Sequence, residues 1–343
     1  MTTILITGLG GSIGIDTARS LRKDSSLRLI GCDCSDWGRR QAGHLVDEVV
    51  ALPRADRGEE AFASALSSAI ERTGTDFAFV NPDPELEALA AIRASLPCRH
   101  SMPPIETVAV TLDKARTVAT ARLPGAFPES RALGSNADLE RCFEEMRPPL
   151  WLRSAVGPGG RGSLTVETPD EARAWIAYWR RRGRDYDWLL QEQLPGRNLN
   201  WTGIYTEGTL RVAAAMERLR YFLGDSAASG VSGQVALCAT VAPGELEATC
   251  DGVVRALDET PHGIYSVDLR CDRDGAPKIT EVNPRFAGRP WLYTNAGLNL
   301  PLAAVRAFLG QPLGDAVSAD GLQIGLHLHR QLDIDPVVGF PAD

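Results

Sequence analysis

Lysine is nearly missing from this chain. Among 343 residues only Lys23, Lys114 and Lys278 carry an ammonium, while arginine is plentiful. A lysine that persists in such a background hints that an ammonium is needed where it stands. Histidine is scarce too, and the five present (His44, His100, His262, His327, His329) lie in no catalytic pattern. The seven cysteines include no CxxC pair, and their odd number points to reduced thiols in a cytoplasm rather than to a disulfide framework. Cys32 and Cys34 fit no zinc spacing and read as residues of a strand end. No run of about 18 apolar residues occurs, and MTTILITG lacks the basic start and long apolar stretch of a secretory leader. The expectation is a soluble, cytoplasmic protein. Excess positive charge is also absent: a formal charge of −8 argues against nucleic acid or an anionic membrane as the main partner. Anionic small molecules stay open, because a local pocket can oppose the global sign. No GK[ST] follows a glycine loop, so a P-loop is excluded.

What is present is an ordinary globular composition, 44% hydrophobic and 23% charged, long enough for two or three domains. From Thr3 to about Ser101 strands and helices alternate: TILITG, LRLIGCD and DFAFVNP as strands, with IDTARSLRKD, residues 58–73 and PELEALAAIRASL as helices. This rhythm predicts a parallel sheet covered on both faces. The turn Gly8-x-Gly10-Gly11-x-x-Gly14 matches the dinucleotide fingerprint in part, with Asp33 near the place of a ribose-binding acid. It therefore supports an NAD(P)-dependent oxidoreductase as a second reading, although glycine-rich first turns also serve plain strand-to-helix packing. Further on, LDKARTVATARL reads as one helix, and residues 188–220 read as strands in hairpin arrangement.

The segment IYSVDLRCDRDGAPKITEVNPRF carries the sharpest signal. Asp274-Gly275 flanked by alternating apolar residues predicts a two-residue hairpin loop. Counting outward, Arg273 pairs with Ala276, Asp272 with Pro277, Arg270 with Ile279, Asp268 with Glu281 and Ser266 with Asn283. Side chains alternate along strands, so Asp268, Glu281 and Asn283 share one face, while Val267, Leu269 and Val282 suit a core. Directly opposed residues hold Cβ atoms about 4.5–5.5 Å apart, where like charges repel. A divalent cation would resolve that conflict, and an all-oxygen donor set suits Mg²⁺. Two unrelated solvated acids, or a register slipped by one, are the plain alternatives at this point. Upstream, PLWLRSAVGPGGRGS sets Arg153 at a strand end, followed by Gly157, Gly159, Gly160 and Gly162, whose backbone could turn its N–H groups toward phosphate oxygens.

Taken in order, Asp113-Lys114, Arg153 through Gly162, QEQLPG and the VDL…ITEVNPRF pair resemble the ATP-grasp superfamily, in particular carbamoyl-phosphate synthase large-chain-like carboxylate–amine ligases. The resemblance covers nearly the whole chain. It implies an α/β protein, α+β in its second half: a Rossmann-like pre-ATP-grasp domain over residues 1–110, a small lobe over 111–190 and a large lobe over 191–343. It implies further that Lys114, Arg153, Gly159, Gly160, Gln191, Glu192, Leu194 and Asn198 bind ATP. Asp268, Glu281 and Asn283 would hold one or two Mg²⁺, or Mn²⁺. Where the family commonly has a ribose-binding glutamate, this chain offers Asn198 and Asn200. Arg285 is expected to stabilise charge on the transferred phosphoryl group, and Arg218 and Arg289 to clamp a substrate carboxylate, with Arg220 a weaker candidate. Trp291 and Tyr293 are expected to help shape the substrate pocket. The implied reaction joins a carboxylate to an amine, an amino acid foremost, with ADP release; a homodimer is the default assembly. A non-catalytic nucleotide-binding module is the third reading.

Overall fold

The computed structural model describes residues 1–156 and 162–330. Three sheets organise it. The first is parallel, ordered β3-β2-β1-β4-β5: β1 (Thr2–Ile6), β2 (Leu27–Asp33), β3 (Glu48–Ala51), β4 (Phe77–Phe79) and β5 (Arg99–His100). Helices α1 (Ser12–Leu21), α2 (Asp36–Ala42), α3 (Glu59–Thr73) and α4 (Asp83–Ala90) connect its strands. The continuous apolar runs of β1 and β4 are fully buried, as a sheet covered on both faces requires.

The helix expected over LDKARTVATARL is α6 (Lys114–Ala121), and another, α5 (Ile105–Thr111), precedes it. Asp113 causes the break: its carboxylate accepts from the N–H groups of Ala115 and Arg116, so it caps a new helix instead of continuing the old one. That cap leaves Lys114 at the first helical position, with its own N–H donated to Ala155 O at 3.2 Å. A four-stranded antiparallel sheet follows, ordered β6-β9-β7-β8: β6 (Ser130–Leu133), β7 (Leu150–Ser154), β8 (Leu164–Val166) and β9 (Trp188–Glu192). Helices α7 (Asn136–Glu145) and α8 (Pro169–Arg181) cover one face, burying Leu150, Leu152 and Leu190 and leaving the alternate residues Trp151 and Arg153 for the other.

The third sheet is antiparallel, ordered β14-β13-β10-β11-β12-β15. It comprises β10 (Asn198–Thr206), β11 (Thr209–Tyr221), β12 (Val235–Val241), β13 (Gly263–Cys271), β14 (Pro277–Asn283) and β15 (His327–His329), with helices α9 (Gly244–Leu257), α10 (Pro290–Asn295) and α11 (Leu300–Phe308). One apolar cluster joins the first sheet to the third. Phe77 stacks on Phe308 at 5.4 Å between ring centroids, and Phe79 on Phe286 at 5.8 Å. No helix among the described residues is long and apolar enough to cross a membrane.

The β13–β14 hairpin differs from the sequence expectation in a way that cancels. Its loop has three residues, because Asp272 N–H donates to Ala276 O at 2.9 Å and Gly275 takes φ +85°. Arg270 therefore faces Lys278, not Ile279, and Cys271 rather than Asp272 faces Pro277. A bulge at Thr280 then restores the register, so Asp268 does face Glu281 and Ser266 does face Asn283. The bulge also turns Ile279 into the core beside Leu269. Since nothing lies within 4 Å of an added Cβ at Gly275, only its backbone conformation resists substitution. Gly275→Ala should lower stability by about 1 kcal/mol, and Gly275→Asn by less because asparagine tolerates the left-handed region. Thermal unfolding of the two variants checks the order.

Candidate active site

A cavity of about 610 Å³ opens between the four-stranded and six-stranded sheets. Arg153 reaches it from β7, Arg218 from β11, Asp268 from β13, Glu281 and Asn283 from β14, and Arg285 from just past that strand. Gln191 and Glu192 at the end of β9, Leu194 on the connection and Asn198 at the start of β10 also line it. Gly159 and Gly160 lie outside the described residues, as does Gly157.

The opposed acids are each matched to cations. Asp268 Oδ1 accepts from Arg218 Nη2 at 2.6 Å and from Asn200 Nδ2 at 2.7 Å. Burial would lower the Arg218 guanidinium, but Asp268, by charge and hydrogen bond, together with Tyr221 and Tyr293 holds the group above its usual range. Glu281 has Lys114 Nζ 3.6 Å from Oε1 and Arg153 Nη2 3.6 Å from Oε2. Desolvation pushes both of those cations below their ordinary values, with Glu281 partly opposing it. Arg153 Nη1 also donates to Thr280 O, the carbonyl that the bulge turns out of the ladder, at 3.3 Å. The repulsion expected between the two carboxylates is thus offset within the protein by three cations drawn from α6, β7 and β11.

The remaining expected residues divide. Asn198 lines the cavity, donating to Tyr221 Oη at 2.9 Å and accepting from Arg218 at 3.3 Å. Asn200 is fully buried and serves Asp268 instead of facing outward. Glu192 donates its backbone N–H to Glu129 O at 2.9 Å. Irregular pairing between β11 and β12 separates Arg218 from Arg220, which sits at the surface 3.5 Å from Asp225. Arg285 Nε donates to Asp83 Oδ1 at 2.6 Å, and buried Arg289 donates to Asp16 Oδ1 at 2.8 Å. Burial raises the Asp16 carboxyl, with Arg289 opposing. Of the bulky groups expected to shape the pocket, only Arg289 lines the cavity. Trp291 lies under Lys23 Nζ at 5.3 Å, and Tyr293 is buried beneath Gly288. Asp16 and Asp83 escaped sequence reading, although an acid on the buried face of an otherwise amphipathic α1 is the kind of signal that marks a partner elsewhere.

The donor set fits a hard divalent cation. Asp268, Glu281 and Asn283 offer carboxylate and amide oxygens on one face, and among the described residues no group of three or more His, Cys, Asp or Glu gathers as an all-protein cage. A site of two acids and an amide suits Mg²⁺, which takes its other ligands from water and phosphate.

No family model matches the sequence, and no curated protein does either. By structure the chain is similar to biotin carboxylase from Campylobacter jejuni, solved as a β-γ-ATP complex, with TM-score 0.71 and 15% identity over 95% of this chain and 74% of that one. It is similar to the L-amino acid ligase from Bacillus licheniformis (TM-score 0.65, 15% identity, 89% and 73% covered). It is also similar to N5-carboxyaminoimidazole synthetase from Staphylococcus aureus complexed with ADP (TM-score 0.70, 14% identity, 91% and 78% covered). The chain has the ATP-grasp fold.

The glycine turn after β1 is filled by the protein itself. Gly10 N–H donates to Asp33 Oδ2 at 2.8 Å, and a Cβ on Gly10 would come within 2.3 Å of Gly38 Cα on α2. The acid and the N–H group that a dinucleotide would need are bonded to each other. Close packing, the plain reading of these glycines, accounts for them. Beside this turn Glu85 is buried, and desolvation pushes its carboxyl from 4.5 to about 7 despite a hydrogen bond from Thr7. A raised carboxylate favours folding fully only below about pH 4.5, and that contribution is lost as pH rises through about 7. Glu85→Gln should therefore match wild type near pH 4.5 and exceed it at pH 8 by on the order of 2–3 kcal/mol. Melting temperatures across a pH series read this difference.

Proposed function

We propose that the protein is an ATP-dependent carboxylate–amine ligase that releases ADP and phosphate and forms an amide bond, with an amino acid as one substrate. The observation that carries this reading is the convergence of Asp268, Glu281, Asn283 and Arg153 on a cavity between two sheets, with buried Lys114 3.6 Å from Glu281, within the fold of biotin carboxylase and the L-amino acid ligase.

Asp268, Glu281 and Asn283 would hold Mg²⁺, which when bound neutralises phosphate charge. Lys114 and Arg153 would take the phosphate oxygens, exchanging part of their attraction to Glu281 for the stronger charge of the nucleotide. The backbone around Glu192 and Leu194, with Gln191, would hold the base edge and Asn198 the ribose, and Gly159 and Gly160 would close over the phosphates. A substrate carboxylate oxygen then attacks the γ-phosphorus. A new C–O–P bond forms, the bond to the bridging oxygen breaks and ADP leaves. An amine attacks the acyl carbon, loses a proton and expels phosphate. Arg285, held by Asp83, stands where it could meet negative charge on the transferred group, while Arg218 and Arg289 would orient the substrate carboxylate. The protein's work is to position reactants and balance charge; no side-chain nucleophile is required.

The test is a phosphate- and ADP-release screen over pairs of carboxylates and amino acids, with product masses. A productive pair should give a mass equal to the two substrates less one water. Asp268→Asn and Glu281→Gln should each reduce ADP formation to background, and full activity in either would remove the metal assignment. Stabilisation by NAD(P)H and not by ATP–Mg²⁺ in a thermal shift would overturn the ligase reading altogether.

A further inference from the structure

A second cavity, of about 770 Å³, opens along the seam where the β5 edge of the first sheet meets the third sheet. It shares no lining residue with the cavity described above. The seam itself is closely built. Ile264 N–H donates to Ser101 O at 3.2 Å, and a Cβ on Gly263 would come within 2.7 Å of Pro103 Cγ. Phe308, in the cavity wall, stacks on Phe77 at 5.4 Å and meets the His262 ring at 5.3 Å between centroids.

The polar part of this lining is rich in nitrogen. Arg93 stands before β5, Arg99 and His100 form that strand, and His262 comes just ahead of β13. Arg153, Arg218, Arg285 and Arg289 at the first cavity each face a carboxylate. Arg93 and Arg99 have no such partner among the described residues; Arg93 Nε donates to Met102 O at 3.0 Å. His100 Nε2 lies 3.1 Å from Arg93 O, and its Nδ1 is buried with no hydrogen-bond partner. The four groups are within electrostatic reach of one another. Burial and then the charge of Arg93 push His100 down to about 4, with His262 adding to it. Burial lowers His262 as well; Glu207 opposes it, and Arg93 and Arg99 add to it. Two carboxylates reach the cavity, and both are engaged. Asp76 accepts from Thr3 N–H at 2.8 Å, and exposed Glu207, on the β10–β11 turn, lies 2.9 Å from His262 Nδ1. That nitrogen also accepts the Glu207 N–H at 3.3 Å, which leaves the proton of the neutral ring on Nε2, free to donate. In a chain of formal charge −8, unpaired guanidinium groups beside two imidazoles are a local reversal of sign that an anion would compensate.

We propose that this cavity is a second ligand site, taking the phosphate or carboxylate group of a small anion between Arg93, Arg99 and His262. The guanidinium groups supply charge and paired N–H donors, and the imidazole supplies a third donor. Arg93 and Arg99 belong to the first sheet and His262 to the third. An anion held by all three therefore bridges the seam and strengthens the docking of one sheet on the other. The site stands apart from the ligase reading and does not depend on it.

Calorimetric titration of the full chain with inorganic phosphate and with succinate tests this and tells the two head groups apart. At least one of them should fill a saturable site and raise the melting temperature of the wild type. Arg93→Gln should weaken that binding by roughly tenfold or more, and Arg99→Gln, on an exposed side chain, by roughly threefold. Glu207→Gln, which removes a competing carboxylate, should strengthen it by about twofold. Arg153→Gln, in the other cavity, should leave it within about twofold. Should Arg93→Gln not fold, because its Nε holds Met102 O, the exposed Arg99 and Glu207 variants still decide. Absence of saturable binding of both anions to the wild type overturns the proposal. So does binding that neither Arg99→Gln nor Glu207→Gln alters, or binding lost in Arg153→Gln and kept in Arg99→Gln, which would assign the anion to the first cavity.

Discussion

Two carboxylates set face to face across a hairpin are the constraint to which the rest of this molecule answers. Asp268 and Glu281 share one face of the β13–β14 ladder, and like charges so placed repel. Each surrounding element contributes to the balance: Lys114 from the capped start of α6, Arg153 from β7 and Arg218 from β11. Because these come from different sheets, the charge balance also fixes how the small sheet stands over the large one. The cavity between them is the space left around a compensated pair of acids.

The first sheet does more than precede this arrangement. Phe77 and Phe79 stack into the core of the third sheet, and Asp16 and Asp83 hold Arg289 and Arg285 of the segment that follows β14. Two cavity arginines thus have their orientation set by residues more than 200 positions earlier in the chain. The pairs are buried or nearly so, and removing one partner would strand a charge. The geometry of the cavity rim depends on the N-terminal sheet staying docked.

Much of this was legible in the sequence, for physical reasons. Period-two alternation set Asp268, Glu281 and Asn283 on one face, and apolar runs separated by helical spacing announced the parallel sheet. Long-range pairing was not legible. Nothing local marks Asp16 as the partner of Arg289, or shows that Asn200 turns inward to Asp268 while Asn198 stays at the cavity. The break before Lys114 was hidden because Asp113 can sit in a helix as well as cap one, and what accompanies the choice includes tertiary contacts: Lys114 N–H to Ala155 O and the bridge of Asp113 to Val156. The glycine turn misleads for a similar reason: the same glycines serve a bound phosphate or a tightly packed second helix, and Gly38 decides for the helix.

The bulge at Thr280 has a bearing on how such a hairpin can change. Its turn is one residue longer than the two-residue form, and its strand carries one residue more than its partner; the two surpluses have opposite effects on phase. A hairpin with neither would present the same acids to the same neighbours. The backbone path can therefore vary while the constellation stays fixed, but only through paired changes. In this sequence, closing the loop to two residues while keeping the bulge, or flattening the bulge while keeping the three-residue loop, would slip the pairing by one and turn Glu281 and Asn283 to the apolar side.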